Sequence, residues 1–184
     1  MAYKRKEKNQ VEKKVLIVYK SVSGFTAKYA EWMKEELGCD VIALKSLKKK
    51  MLVNYDILVF GGRIHASHID GLKKFRRKVG SLNKELIIFA SGLVPKEKNN
   101  VLDNMWKTNK DEIDGARTFY LQGGLSLEKL PQLDKFVIKS LTKILTKKKD
   151  KDESELSMLD ALNGKNIVFK KENIHDIVEY IKSL

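Results

Sequence analysis

Residues 15–30, VLIVYKSVSGFTAKYA, join a short apolar run to a helical pattern through a cluster of small and hydroxyl-bearing residues. The run at 15–19 is nearly continuous in apolar side chains, as in a strand buried on both faces of a parallel sheet. Beyond the cluster, Ala30, Met33 and Leu37 recur at helical spacing. The segment therefore predicts a strand, a tight turn at residues 21–26 and a helix.

The same alternation continues along the chain. Further strand-like runs lie at 41–44, 57–61, 86–90 and 118–121. Helical patterns separate and follow them, with apolar positions at Leu72, Phe75, Val79, Leu102, Met105, Trp106, Ile174, Ile177, Val178, Ile181 and Leu184. Alternating strands and helices predict an α/β fold in which five parallel strands carry helices on both faces.

Residues 125–166 exceed what a plain five-strand unit needs, and we interpret them as an insertion. Within it, apolar residues with helical spacing are accompanied by a row of lysines four residues apart: Leu133, Phe136, Val137, Leu141, Ile144 and Leu145, with Lys135, Lys139, Lys143 and Lys147. The following stretch, 147–166, has the composition of an exposed loop. The predicted organisation is a basic flexible arm at 1–13 and a single domain at 14–184.

The composition is that of a globular protein with a strong positive charge. The chain has 184 residues and a formal net charge of +13, concentrated at 1–14, 45–50, 73–78 and 135–151. Such patches attract anionic lipid, nucleic acid or an acidic partner, although solvated surface lysines give the same pattern. Nucleic acid is disfavoured because aromatic residues do not alternate with the basic runs.

Two classes of protein are excluded or disfavoured by simple counts. The single cysteine, Cys39, excludes an internal disulfide and a cysteine-based metal cluster, and we expect it to be a small core residue at the start of a strand. No apolar run reaches membrane-spanning length, and none follows the charged N-terminus as in a signal peptide. We therefore expect a cytoplasmic protein.

The turn at residues 21–26 has the composition of a phosphate-binding loop. Small residues let several N–H groups converge, hydroxyls add donors, and the next helix contributes its positive end. The alternative is an ordinary helix cap, since Ser and Thr cap helices well. Neither G-x-x-x-x-G-K-[ST] nor G-x-G-x-x-G occurs here, so the Walker and dinucleotide loops are excluded.

At these residues the sequence resembles a known family. The motif VYKSVSGFTAKYA resembles the phosphate loop of flavodoxins, which bind flavin mononucleotide (FMN). The segments at 54–75, 89–97 and 120–145 are similar to the bacterial menaquinone-dependent protoporphyrinogen dehydrogenase subfamily. The resemblance covers residues 14–184. It implies a doubly wound, five-stranded parallel sheet of order 2-1-3-4-5, an FMN cofactor and oxidation or reduction of a quinone or porphyrinogen, with a role in haem biosynthesis.

The resemblance also implies which residues bind the flavin. Residues of the first turn would hold the phosphate, residues after the third strand would flank the ring, and residues after the fourth strand would form a further ring contact. The strand end before the insertion would close the site, with Leu125 beside it. The predicted cofactor-binding residues are Ser21, Val22, Ser23, Gly24, Phe25, Thr26, Gly61, Gly62, Arg63, Ile64, His65, Ser91, Gly92, Leu93, Gly123 and Gly124.

Individual side chains suggest more specific roles. Gly61 and Gly62 are expected to permit close backbone approach and unusual backbone angles. Arg63 is expected either to place a positive charge beside the reduced flavin or to form a surface ion pair. His65 and His68 are too few ligands for a metal site, and no catalytic residue is predicted because the flavin would carry the chemistry.

Three functions remain open on the sequence alone. The first is an FMN-dependent oxidoreductase acting on a hydrophobic substrate at the inner face of the membrane. The second is a soluble flavodoxin-type electron carrier, although such carriers are typically acidic and this chain is basic. The third is a non-enzymatic protein that binds partners through its basic patches. For residues 133–151, contact with an anionic membrane and packing on the sheet are both compatible with the pattern.

Overall fold

The computed structural model describes residues 13–96, 99–124, 126–165 and 168–184. The strands are β1 (Val15–Lys20), β2 (Asp40–Ala43), β3 (Ile57–His65), β4 (His68–Ile69), β5 (Glu85–Gly92) and β6 (Arg117–Gln122). The helices are α1 (Phe25–Leu37), α2 (Leu72–Val79), α3 (Asn99–Thr108), α4 (Lys110–Ile113), α5 (Gln132–Lys147), α6 (Glu153–Leu162) and α7 (His175–Ser183). Short 3₁₀ turns lie at Lys49–Asn54, Leu127–Lys129 and Lys171–Ile174.

The sheet has the predicted doubly wound order. Its path is β2-β1-β3-β5-β6, with all of these neighbours parallel, and β4 adds a short antiparallel extension to β3. In chain order the five parallel strands therefore follow the 2-1-3-4-5 pattern, which confirms the predicted fold class. The carboxyl ends of β1, β3 and β5 lie side by side, so the loops that follow them meet at one edge of the sheet.

Both faces of the sheet are buried, because alternate residues of each strand point to opposite layers. Leu16 and Val18 of β1 pack in one layer with α2 and α3, whereas Ile17 packs in the other with α1 and α7. The apolar positions predicted for these helices lie in the two cores. Cys39 precedes β2 and packs at the edge of the second layer, as expected, and burial raises the pKa of its thiol to about 11.

The insertion contains one element that was not predicted. Residues 153–162 form helix α6 rather than a loop, because Asp152 and Glu155 form a capping box at its start and apolar side chains recur along it. On α5, of the six residues predicted to form an apolar face, only Leu145 is buried. Among the described residues, no helix is long and apolar enough to cross a membrane. Residues 1–12 of the predicted arm lie outside the described residues.

Candidate functional site

The turn between β1 and α1 brings backbone donors to the edge of the sheet. Gly24 has a positive φ of 99°, which an L side chain rarely adopts, and this lets the chain bend directly into the helix. The Ser21 hydroxyl accepts a hydrogen bond from the Gly24 N–H at 3.1 Å. Among the residues that the structure describes, no side chain caps α1. The N–H groups of its first turn are therefore available to a bound anion.

A lysine of the insertion stands beside this turn. The Lys129 Nζ lies 3.8 Å from the point where a Cβ on Gly24 would be. Lys129 belongs to the 3₁₀ turn that precedes α5 and is exposed. Within the described part of the chain, its ammonium has no carboxylate partner within ion-pair distance. The position of Lys129 beside the turn could not be predicted from the sequence, because it depends on how the insertion folds back.

A buried pair of hydroxyls joins the first turn to the end of β5. The Thr26 Oγ1 and Ser91 Oγ are 2.7 Å apart, and both residues are buried. One hydroxyl donates its proton to the other, which leaves one proton and several lone pairs for a further partner. The two predicted loops are thus directly connected.

The hairpin between β3 and β4 contains two non-glycine residues in the left-handed region. Ala66 has φ 46° and Ser67 has φ 63°, the signs of a type I′ turn. Asn109, which is buried, holds this turn: its amide donates to the Ser67 carbonyl at 2.8 Å and its oxygen accepts from the Ile69 N–H at 2.9 Å. The same amide donates to the Met105 carbonyl. Asn109 therefore fixes the loop after β3 to the end of α3.

The glycines of β3 do not have the unusual backbone angles expected from the sequence, and neighbouring protein atoms crowd them. Gly61 and Gly62 lie inside the strand and have no positive φ. A Cβ on Gly61 would be 2.0 Å from the Phe89 ring, and one on Gly62 would be 2.7 Å from the Asp70 carbonyl oxygen. Gly92 is equally confined, by Ile64 and Tyr120. These positions need glycine because neighbouring protein atoms occupy the space.

Arg63 lies in an ionic cluster that the insertion completes. Its Nη2 donates to Asp134 Oδ2 at 2.8 Å, and its Nε is 3.6 Å from Asp70 Oδ2. Asp70 also accepts from Lys20 at 2.6 Å, and His65 Nε2 is 3.7 Å from Asp134 Oδ1. The Arg63 side chain is 20% exposed, so this is a half-buried ion pair rather than a surface pair. Its Nε is a buried donor without a hydrogen-bond acceptor among the described residues.

His65 and His68 pair across the β3–β4 hairpin. Among the described residues, no group of three or more His, Cys, Asp or Glu side chains is arranged to hold a metal ion.

The end of β6 closes the same edge. The Gly123 N–H donates to the Gly92 carbonyl at 2.6 Å, and a Cβ on Gly124 would be 2.5 Å from the Phe25 ring. Phe25 also packs edge-on against Phe169. The side chain of Phe25 thus packs on protein, so only its N–H is left for the predicted phosphate contact. Leu125 lies outside the described residues.

Two tyrosines tie β6 to neighbouring segments. The Tyr29 hydroxyl donates to the Gln122 carbonyl, and the Tyr120 hydroxyl donates to the Val94 carbonyl. Burial raises the pKa of both phenols, with a smaller opposite effect of Asn173 on Tyr29. Both hydroxyls therefore stay protonated, and keep donating, throughout the neutral range.

A cavity of about 410 Å³ joins these loops. This volume is within the range of small-molecule and cofactor sites. Eleven of the sixteen predicted binding residues line it: Ser23, Phe25, Thr26, Arg63, Ile64, His65, Ser91, Gly92, Leu93, Gly123 and Gly124. Ser21, Val22, Gly24, Gly61 and Gly62 do not. The first three belong to the turn at the mouth of the cavity, and the last two lie inside β3.

The insertion forms the opposite wall of the cavity, which the sequence did not reveal. Asp134 and apolar residues of α5 and α6 line it, together with Leu130: Val137, Ile138, Leu141, Met158 and Leu162. The site therefore combines polar loops on the sheet with an apolar cover. A larger cleft of about 670 Å³, between β6, α6 and the start of α7, is lined by Pro95 and Lys96 of the loop after β5 but by none of the sixteen predicted binding residues.

The comparison with known families agrees with this architecture. The model of the flavodoxin domain matches residues 16–152. The chain belongs to the flavodoxin domain family. The matched residues, 16–152, include all sixteen predicted binding residues and α5. Met158 and Leu162 of the cavity wall lie beyond the matched region.

Individual relatives of the flavodoxin domain are distant. An uncharacterised protein of Methanocaldococcus jannaschii is 32% identical over 84 residues, or 45% of this chain and 56% of that protein. The match thus spans little more than half the length of that relative. A flavoprotein from Bacteroides eggerthii, described as putative, has 17% identity and a TM-score of 0.46, with 74% of this chain and 99% of that chain covered. A flavodoxin from the domain Archaea has 16% identity and a TM-score of 0.43, with 82% and 97% covered.

Proposed function

We propose that the protein is an FMN-dependent oxidoreductase that exchanges electrons with a small apolar molecule. The observation that carries the proposal is the cavity, because polar loops typical of a flavodoxin domain form one wall and apolar side chains of the insertion form the other. FMN has a charged phosphate at one end and a flat, largely apolar ring at the other. A site of this kind needs both types of wall.

The residues present fit FMN. The open N–H groups at the start of α1, Ser23 and the nearby ammonium of Lys129 suit a phosphate. The polar edge of the ring and the ribityl chain need hydrogen-bond partners. The Arg63 Nε, which has no acceptor among the described residues, and the unused proton and lone pairs of the Thr26–Ser91 pair suit them. The bound flavin would supply hydride or single-electron transfer.

The chain's own residues would orient the flavin in the cavity and cover it on one side. The Asn109-held hairpin and the end of β5 fix the two loops that flank the cavity. The apolar side chains of α5 and α6 form one side of it, which favours an apolar partner over dissolved, charged species. Quinones and porphyrinogens are partners of this chemical class. A soluble electron carrier would not need such a cover.

The cofactor is tested by titrating flavin-free protein with FMN and with riboflavin, which lacks the phosphate. We expect FMN to bind at least about tenfold more tightly, since each charge-assisted contact to phosphate contributes about 1.5–3 kcal/mol. Ser23→Ala should weaken FMN binding but not riboflavin binding, and Ser81→Ala, at an exposed position, should change neither. Equal affinity for the two flavins would show that the turn at residues 21–26 does not bind the phosphate. Absence of binding of either flavin would show that the protein is not a flavoprotein.

The apolar partner is tested with a short-chain benzoquinone and with ferricyanide as acceptors for the reduced protein. Leu141→Trp, in the cavity wall, should slow quinone reduction, whereas Leu133→Trp, on the same helix but outside the cavity, should not. Reduction of ferricyanide should be unaffected by either substitution. Rapid ferricyanide reduction with no saturable quinone reduction would favour the electron carrier instead.

A further inference from the structure

Helix α5 presents a row of large apolar side chains to solvent. Five residues on one side of the helix are exposed: Leu133 by 80%, Phe136 by 70%, Ile144 by 64%, Val137 by 59% and Leu141 by 37%. They recur at intervals of three or four residues, so they form one continuous stripe along the 16-residue helix. Contiguous exposed apolar surface of this kind marks an interaction site rather than an ordinary surface.

The stripe is not the side by which α5 joins the protein. The inward side carries Asp134, which bonds Arg63, and the buried Leu145, with Ile138 lining the cavity between them. The helix is therefore already anchored on one side. Its apolar residues exceed what that anchoring uses.

A row of lysines runs along the edge of the stripe. Lys139, Lys143 and Lys147 follow one another at four-residue intervals and are exposed, and the exposed Lys149 lies just beyond the helix. Lys148 is paired with Glu155 at 2.6 Å. Asp134 is the only carboxylate within Gln132–Lys147, and it lies on the inward side. The outward surface of α5 therefore carries an apolar stripe with lysines along its edge and no carboxylate.

We propose that this surface, residues 133–151, docks the protein on an anionic lipid membrane, with the apolar stripe in the interface and the lysines among the headgroups. An amphipathic helix with a cationic edge is the arrangement that binds such surfaces. A second copy of the chain is a poorer occupant, because it would bring another net charge of +13 to a helix whose outward side carries no carboxylate, the exposed Asp150 lying beyond its end. The proposal does not depend on the identity of the cofactor.

The docking would also orient the cavity. Val137 and Leu141 belong both to the exposed stripe and to the wall of the cavity. A membrane against α5 would therefore lie next to the apolar wall of the cavity. An apolar molecule dissolved in the lipid could reach that wall without crossing water.

The experiment is co-sedimentation with vesicles of phosphatidylcholine alone and with about one third phosphatidylglycerol, at low and high salt. We expect binding to the anionic vesicles only, decreasing as salt screens the charges. Phe136→Ser with Ile144→Ser should weaken it at least about tenfold, because both side chains are largely exposed in the free protein and inserted only on binding.

A charge-matched pair of variants tests whether α5 is the site. Replacing Lys139, Lys143, Lys147 and Lys149 by Gln should reduce anionic binding at least about tenfold. Replacing Lys48, Lys50, Lys73 and Lys74 by Gln removes the same charge elsewhere, at exposed positions, and should have a much smaller effect. Equal losses in the two variants would show that overall charge, not α5, attracts the vesicles, and would overturn the proposal.

Entry of the α5 stripe into the membrane can be observed directly, because the single cysteine can be moved to a chosen position for labelling. In a Cys39→Ser background, an environment-sensitive fluorophore at Phe136→Cys should shift to the blue on anionic vesicles, and one at Lys74→Cys should not. Wild-type protein that stays in the supernatant with anionic vesicles at low salt contradicts the proposal. A dimer in sedimentation equilibrium that dissociates on Phe136→Ser with Ile144→Ser also contradicts it, since the stripe would then bind a second copy.

Discussion

Asp134 of α5 accepts a hydrogen bond from Arg63 of β3 at 2.8 Å, across 71 positions of sequence. This contact fastens the insertion to the end of the third parallel strand, β3. It also reduces the net positive charge around Arg63, because two carboxylates, Asp134 and Asp70, face the same guanidinium. Of the two roles expected for Arg63 from the sequence, a charge beside the flavin or a surface ion pair, the fold shows an ion pair, which is half-buried and involves two carboxylates.

The first prediction concerns the reduction potential of bound flavin. Arg63→Ala should lower the midpoint potential, since a positive charge near the cavity stabilises an anionic reduced cofactor. Asp134→Asn should raise it, because the charge of Arg63 is then less neutralised. Each shift should be of the order of tens of millivolts, as expected for one charge several ångströms away in a medium of effective dielectric about 20.

A redox titration of the two variants beside wild type measures both shifts. Glu31→Gln on α1 is a control, because its carboxylate pairs with Lys28 on an exposed surface outside the cavity. Shifts of the same sign in the Arg63 and Asp134 variants would mean that loss of the contact, not its charge, controls the potential. Identical potentials in all four proteins would remove Arg63 from the flavin site.

The second prediction concerns Lys129. Lys129→Gln should weaken FMN binding about three- to tenfold at low ionic strength and leave riboflavin binding unchanged, because an exposed ammonium contributes a modest, screened attraction to phosphate. The difference from wild type should shrink in high salt. Lys147→Gln, roughly 20 Å away at the far end of α5, should have a much smaller effect. An equal loss of riboflavin affinity would show that Lys129 supports the fold of the turn instead.

Much of the fold follows from local pattern in the sequence. The runs at 15–19, 57–61 and 86–90 are apolar at nearly every position because both faces of the sheet are covered, and this signal does not depend on distant residues. Leu72, Phe75 and Val79 on α2 are buried as their spacing predicts. Helix α6 was missed because lysine and acidic residues dominate the stretch around it, although Asp152 and Glu155 form a recognisable capping box.

The site was predictable only where it is made by successive strand ends. Ser23, Thr26 and Ser91 meet because parallel strands place their carboxyl ends together. The contributions of Lys129 and Asp134 arise from the way the insertion folds back, which no local pattern encodes. The crowding of the β3 glycines could not be predicted either, because the fold places the Phe89 ring and the Asp70 carbonyl beside them.

The last prediction concerns Asn109 and the strained hairpin that it holds. Asn109→Ala should lower the free energy of unfolding by about 2–3 kcal/mol, since the buried Ile69 N–H loses its acceptor and the Ser67 carbonyl loses a donor. Ala66→Gly should raise it by about 0.5–1 kcal/mol, because glycine adopts the φ of 46° without a Cβ clash. Asn104→Ala, an exposed position on α3, which ends just before Asn109, should change it by less than about 0.5 kcal/mol.

Urea unfolding of the flavin-free protein measures all three, and FMN titration of the same variants then relates the hairpin to the cavity that Ala66 and Ser67 line. Asn109→Ala should also weaken FMN binding, because the loop must be re-ordered when the ligand binds. Ala66→Gly in the Asn109→Ala background should recover part of the stability but not the affinity, since glycine relieves strain without fixing the loop. If Asn109→Ala is as stable as Asn104→Ala, the hairpin holds its own conformation and Asn109 is not its anchor.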